Sequence, residues 1–250
     1  MTVLAVRDLH KTFGGVHAVS SVSFSVAAGE LLAMIGPNGA GKTTCFNMVN
    51  GQLAPDSGAI ELEGRSLLGK APREICRAGV GRSFQITAAF GSMSVRENVQ
   101  VALLSHERKL FDFREKATAF KIEEADNLLS RVGMLEQAER PCAVLAYGDL
   151  KRVELAVALA CRPRLLLMDE PTAGMAPVER YAIMQLAVDL ARSSRIAVLF
   201  TEHDMDVVFR HADRVIVLSE GELIAQGTPA EVRANAQVRQ VYLGEDAGNA

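Results

Sequence analysis

The chain has no tryptophan, 5 % aromatic residues and four cysteines in 250 residues. Cys45, Cys76, Cys142 and Cys161 form no CxxC pair and have no histidine at metal-ligand spacing, which argues against a disulfide framework and a structural zinc site. Reduced thiols in an intracellular compartment are expected. Cys45 lies near the start of an expected helix, where packing is the favoured role over reactivity. Positive charge is not in excess: the net charge is −3 and the pI near 6.0, which removes the electrostatic reason to expect nucleic-acid binding. No run approaches the roughly 18 apolar residues of a membrane span. Residues 1–10 also lack a basic start followed by a long apolar stretch, so a soluble, unexported protein is expected.

What is present is an ordinary globular mixture, 49 % hydrophobic and 23 % charged, long enough for one catalytic domain with a lobe. Residues 3–8, 22–26, 31–35 and 59–62 are short aliphatic runs bounded by Gly and Ser, and read as strands. A second group, 165–168, 196–200 and 215–218, alternates with helical patterns at 177–192 and 204–211. That alternation predicts an α/β fold with a largely parallel sheet wrapped by helices. Between the groups helix formers dominate, at 95–104, 115–132 and 149–161, which predicts a helical lobe over 87–161. Residues 229–243 are expected to add one or two closing helices.

The run 31–35 leads into Gly36-Pro37-Asn38-Gly39-Ala40-Gly41-Lys42-Thr43-Thr44, which fits GxxxxGK[ST] in the strand-to-helix setting that motif needs. Glycines let backbone N–H groups face a β-phosphate, the helix start presents its positive end, and Lys42 reaches the β and γ oxygens. Thr43 is the expected hydroxyl ligand of Mg²⁺. The aliphatic run 165–168 ends in Asp169 and Glu170. A carboxylate at a buried strand end needs a cation, and Mg²⁺ beside ATP would answer Asp169. Glu170, one residue on, is placed to act as general base on a water.

Four further segments resemble one family, the ATP-binding subunits of ABC transporters. Leu145-Ala146-Tyr147-Gly148-Asp149 is similar to the family signature, Gln85 to its Q-loop glutamine, His203 in Thr201-Glu202-His203-Asp204 to its switch histidine, and Phe13 to the aromatic that stacks on adenine. The resemblance covers almost the whole chain. It implies a P-loop NTPase with a RecA-like core, an N-terminal antiparallel β subdomain and a helical subdomain, divided as 1–86 plus 162–250 and 87–161. It further implies ATP and Mg²⁺ as ligands, Gln85 as metal and water sensor, and catalysis by Glu170 with His203. Each ATP would be sealed between the phosphate loop of one subunit and the signature of another in a head-to-tail dimer with a sister chain or a second copy. Two membrane permease subunits and, indirectly, an extracytoplasmic solute-binding protein complete the expected assembly, with the chain on the inner face of the membrane and no nucleic acid involved.

Two positions depart from the common pattern. Ala146 replaces the usual signature serine, and Ala176 stands where an aspartate is common in the segment 173–177. Thr12-Phe13-Gly14-Gly15, the Leu-Ala-Tyr-Gly form of the signature, Glu202-His203-Asp204-Met205 and Val241-Tyr242-Leu243-Gly244 resemble the branched-chain amino-acid importers. Urea or short-amide importers and a lipopolysaccharide exporter carry a similar motor. Residues 86–98, with apolar Phe90 and Met93, are where membrane subunits are expected to dock. The rivals are a P-loop kinase or GTPase, which has no use for 145–149 or His203, and a soluble ABC ATPase of DNA repair or the ribosome, which generally carries an insertion or second cassette that this chain has no room for.

Overall fold

The computed structural model describes residues 1–83, 89–109 and 120–243. Two sheets form from the expected aliphatic runs. In the first, β1 (Thr2–Phe13) turns through Gly14-Gly15 into β2 (Val16–Ala27), and pairs on its other side with β4 (Ser57–Leu62), whose partner is the short β5 (Arg65–Ser66). All of these pairings are antiparallel. Along β1 the buried positions include Val3, Leu4, Val6 and Leu9, so one face is apolar and the other wet.

The second sheet has the order β10-β9-β3-β8-β7-β6. β3 (Leu31–Ile35), β7 (Leu165–Asp169) and β8 (Ala197–Thr201) are buried at every residue, as strands covered on both faces must be. β6 (Val80–Ser83) and β9 (Arg214–Ser219) extend the parallel pairing, and β10 (Glu222–Gly227) closes the edge antiparallel to β9. Alternate residues point to two cores. Leu32, Met34, Leu165, Leu167 and Leu199 pack with α1 (Lys42–Val49) and the antiparallel sheet. Ala33, Ile35, Leu166, Met168 and Phe200 pack with α3 (Val95–His106), α4 (Ile122–Arg131), α5 (Tyr147–Leu159), α6 (Pro177–Ser194) and α7 (Met205–His211). The chain closes with α8 (Pro229–Ala234) and α9 (Ala236–Leu243).

The structure differs from the sequence-based expectations in particular places. The strands β5, β6 and β10 and the helix α2 (Pro72–Ala78) were not expected. β6 is four residues with Gly81 inside it, where an added Cβ would lie 3.1 Å from the Ala158 carbonyl oxygen, so packing space rather than strand propensity chose the residue. The helix expected at 115–132 is described as Ile122–Arg131, and 110–119 lie outside the described residues. α5 begins at Tyr147 rather than at 149, because Ala146 already has the extended conformation of a helix N-cap. α3 starts where Ser94 and Glu97 form a capping box, with the Glu97 N–H donating to Ser94 Oγ at 3.2 Å.

Candidate functional site

β3 leads into the loop 36–41 and then α1. At Gly36 the backbone has φ +154°, and a Cβ would stand 2.2 Å from the Leu218 carbonyl oxygen; at Gly41, φ is +100° and the gap to the Ala18 carbonyl oxygen would be 2.4 Å. Only a hydrogen fits at either place, so the loop can run this close to the neighbouring strands solely with glycine. Asn38, Gly39 and Thr43 are exposed at its rim, Pro37 and Thr44 are half-buried, and Ala40 is buried. α1 has no acidic residue in its first turn, which leaves the positive end of its dipole unopposed. Lys42, 7 % exposed, folds back so that Nζ donates to the Gly36 carbonyl at 2.6 Å and the Pro37 carbonyl at 2.9 Å. Burial pushes its pKa down, while the charges of Glu170 and Asp169 act in the opposite sense.

Those carboxylates arrive from β7, next but one to β3 in the sheet. Asp169 pairs with Thr201 across β7 and β8 in parallel register, and Thr201 Oγ1 donates to Asp169 Oδ1 at 2.8 Å. Arg82 on β6 reaches Asp169 Oδ2 at 3.2 Å and also donates to Asn47 Oδ1 and Gln52 Oε1, each at 3.0 Å. Glu170 has φ +47°, a conformation uncommon for a residue with a side chain, held by its N–H donating to Thr201 O at 3.2 Å and Oγ1 at 3.1 Å. That turn aims its carboxylate at His203, whose Nε2 lies 3.0 Å from Glu170 Oε1. Behind them Glu202 is buried and accepts from the Thr172 N–H at 2.9 Å and the Thr172 hydroxyl at 2.7 Å. Desolvation holds the Glu202 pKa above the usual carboxylate range despite those bonds.

The phosphate loop, Asp169, Glu170 and His203 are thus brought to one end of the parallel sheet, the carboxyl ends of β3, β7 and β8, where open α/β sheets bind ligands. Phe13 ends β1 with 49 % of its surface exposed and Lys11 Nζ 5.5 Å from its ring centroid. The segment 145–149 forms the N-terminal turn of α5, with no side chain capping Ala146 and Tyr147 exposed. Its neighbours within the chain are the segment 174–179: a Cβ on Gly148 would meet Glu179 Oε1 at 3.1 Å, and one on Gly174 would meet the Tyr147 ring at 3.9 Å. Gln85 lies outside the described residues.

Sequence reading missed Arg82, Thr201 and Asn47 as parts of this end of the sheet. Thr201 stood inside a quoted motif, and its role follows only from the register that puts it beside Asp169. Arg82 is three residues before Gln85 in sequence, yet nothing in a lone arginine signals which carboxylate it meets. Cys45 is fully buried and its thiol is pushed up to about 12 by desolvation, the packing role that was expected.

Among the described residues no helix is long and apolar enough to cross a membrane. The ABC transporter family matches residues 19–173, and the branched-chain amino acid ATP-binding cassette transporter family matches 222–248. The high-affinity branched-chain amino acid transport ATP-binding protein LivG of Salmonella typhimurium is 40 % identical over 252 residues, covering 97 % of this chain and 98 % of that protein. BraF of Pseudomonas aeruginosa, with the same description, is 38 % identical over 250 residues at the same coverage. Among solved structures, the ADP conformation of an ATP-binding cassette of an ABC transporter superposes with a TM-score of 0.86 at 30 % identity, covering 98 % of this chain and 99 % of the other. A strand-loop-helix built for phosphate, two carboxylates facing it and this extent of likeness lead to one assignment: the chain belongs to the ABC transporter family, as an ATP-binding cassette of the branched-chain amino acid transport type.

Proposed function

We propose that this ATPase energises import of branched-chain or related small amino acids, and that it cleaves ATP between the loop 36–44 and the Asp169-Glu170-His203 cluster. The observation that carries the reading is the convergence of Lys42 with both carboxylates, Glu170 being held at 3.0 Å from His203. The triphosphate is the substrate. Backbone N–H groups from Asn38, Gly39, Gly41, Lys42, Thr43 and Thr44 surround its β-phosphate, with Gly36, Pro37 and Ala40 shaping the loop around it; Lys42 exchanges the Gly36 and Pro37 carbonyls for β and γ oxygens, and the adenine stacks on exposed Phe13.

The oxygen donors Thr43 and Asp169 suit a hard divalent cation such as Mg²⁺, with Gln85 as a third ligand. Among the described residues no group of three or more His, Cys, Asp or Glu could hold a metal, so a cation here depends on the nucleotide for its remaining oxygens. When bound, Mg²⁺ withdraws charge from the β and γ oxygens. Glu170 accepts a proton from the attacking water, whose oxygen bonds to the γ-phosphorus as the bond to the β-γ bridging oxygen breaks, giving ADP and phosphate. His203 fixes the Glu170 carboxylate and donates to the γ-phosphate only as charge develops there in the transition state.

Tyr147, Gly148 and Asp149 offer the free N–H groups of the first turn of α5 to the γ-phosphate held by a neighbouring cassette, with Ala146 at the N-cap and Leu145, whose N–H donates to the Cys142 carbonyl, setting the approach of the chain. A head-to-tail dimer with a sister chain or a second copy follows. Ala146 cannot supply a hydroxyl there, a loss worth about 1.5–3 kcal/mol for a bond to a charged group, so the backbone donors carry the contact. The division into a core, 1–86 with 162–250, and a helical lobe, 87–161, gives that turn its own moving part. Phe90 is 56 % exposed, with its backbone pinned by Asn98, which accepts from the Phe90 N–H at 2.7 Å and donates to its carbonyl at 3.2 Å. An apolar side chain held out in this way suits docking of two permease subunits at the inner membrane face.

The likeness to LivG and BraF favours amino acids over urea, short amides or lipopolysaccharide as cargo, and weighs against a kinase, a GTPase or a nucleic-acid-linked ATPase. The test is uptake by vesicles containing this subunit with its permeases and binding protein. Labelled leucine should accumulate only with internal ATP, with urea failing to compete; urea uptake without leucine uptake would reassign the cargo.

A further inference from the structure

We infer that Arg82 is a positioning residue that competes with the divalent cation for Asp169 and so sets how tightly the metal–nucleotide complex is held. The inference rests on the proposed role of Asp169. The Arg82 and Asp169 side chains are only 13 % and 11 % exposed, so solvent and salt screen their ion pair little. The guanidinium is not a passing partner. It is tied at 3.0 Å to Asn47 on α1 and at 3.0 Å to Gln52 in the turn that follows, so the same group joins the phosphate-loop helix to the end of β7.

Two opposing consequences follow from its charge and its hydrogen bond. Arginine stays protonated, so it cannot give up its charge when a second cation approaches the same carboxylate, and the repulsion weakens cation binding. The bond to Oδ2 also orients the carboxylate, which favours cation binding. Thr201 already fixes Oδ1 at 2.8 Å, so orientation survives without Arg82 while the repulsion does not. The charge effect dominates. Removing it tightens the metal complex, and the release of ADP with its metal slows.

The test titrates Mn²⁺ into the full chain with ADP bound, reading free Mn²⁺ by electron paramagnetic resonance, alongside ADP binding in excess EDTA. Arg82→Gln should bind Mn²⁺ about tenfold tighter than the unaltered protein, with metal-free ADP binding changed by less than about twofold. Arg82→Lys breaks the same fork but keeps the charge, and should stay within about threefold of the unaltered protein. Asn47→Ala keeps every charge and removes one of the tethers that hold the guanidinium, leaving Gln52, so that Arg82 yields more readily to the metal; it should tighten Mn²⁺ by up to about threefold, which preserves the test should Arg82→Gln fail to fold. Equal affinities for Arg82→Gln and Arg82→Lys, or weaker Mn²⁺ binding in Arg82→Gln, would overturn the inference. Asp169→Asn separates the two readings: if it leaves Mn²⁺ affinity unchanged, the role assigned to Asp169 fails whatever Arg82 does.

Discussion

Thr201 Oγ1 both donates to Asp169 Oδ1 at 2.8 Å and accepts from the Glu170 N–H at 3.1 Å, so one hydroxyl on β8 holds the Asp169 carboxylate at the end of β7 and the backbone of Glu170 just beyond it. Parallel register makes this possible, because it brings Thr201 level with Asp169 at the strand ends. Thr201→Val keeps the shape and removes both bonds in a site that is almost fully buried. A loss of about 1–3 kcal/mol in urea unfolding is expected, the cost of unpaired buried polar groups. ATP hydrolysis should fall more than about tenfold, since Asp169 loses the bond that fixes Oδ1 and the left-handed turn of Glu170 keeps only the Thr201 backbone carbonyl. Full activity with reduced stability would make Thr201 a packing residue only.

His203 Nε2 meets the Glu170 carboxylate at 3.0 Å, and the histidine is itself exposed. Its removal should therefore cost chemistry rather than folding. For His203→Ala a drop of about 10²-fold in the rate of ATP cleavage is expected, within the range for positioned acid–base groups. Melting temperature and ATP affinity should change little. A parallel loss of ATP affinity would place the histidine in binding instead.

Gly39 and Gly41 give a matched pair for the phosphate loop. Both have left-handed backbones, φ +80° and +100°, but a Cβ at Gly39 meets open space while one at Gly41 comes 2.4 Å from the Ala18 carbonyl oxygen. Gly39→Ala should cost only backbone strain of about 1–3 kcal/mol. Gly41→Ala must also displace β2 or the loop, and is expected to reduce ATP affinity at least tenfold beyond Gly39→Ala in equilibrium binding. Equal effects of the two substitutions would mean that close approach to β2 does not shape the site.

The four thiols divide by environment. Cys76 on α2 accepts a hydrogen bond from Cys161 that, against some desolvation and with help from Arg77, brings its pKa down to about 7. The Cys161 thiol is driven far up by the same contact, and Cys45 is pushed up to about 12 by burial. The thiolate is the reactive form, so alkylation of Cys76 should rise with pH through a midpoint near 7 and precede that of the other three. Mass spectrometry after iodoacetamide pulses reads this directly. Cys161→Ala should move the midpoint upward; an unmoved midpoint would remove Cys161 as the cause.

Much of this site was legible in the sequence because its chemistry is local. A phosphate loop needs Gly36, Gly41 and Lys42 at fixed spacing, and a strand that ends in Asp169-Glu170 announces itself. The buried runs of β3, β7 and β8 were legible for a similar reason, since strands covered on both faces must be apolar throughout. What could not be read depends on register and on neighbours. Arg82 reaches Asp169 only because β6 pairs with β7, and β6 itself carries too weak a strand signal to be placed. β10 is a half-buried edge, without the alternation or continuous apolarity that marks a strand. The first turn of α5 began two residues early because Ala146 takes the cap conformation with no capping side chain to signal it.

The central claim is that water activated by Glu170 cleaves ATP held at Lys42 and that this cleavage drives uptake. It is tested most directly by measuring phosphate release and leucine uptake together in vesicles whose transporter carries Glu170→Gln in this subunit. Both rates should fall by at least about a hundredfold while ATP stays bound. Uptake and phosphate release at the unaltered rate would contradict the account.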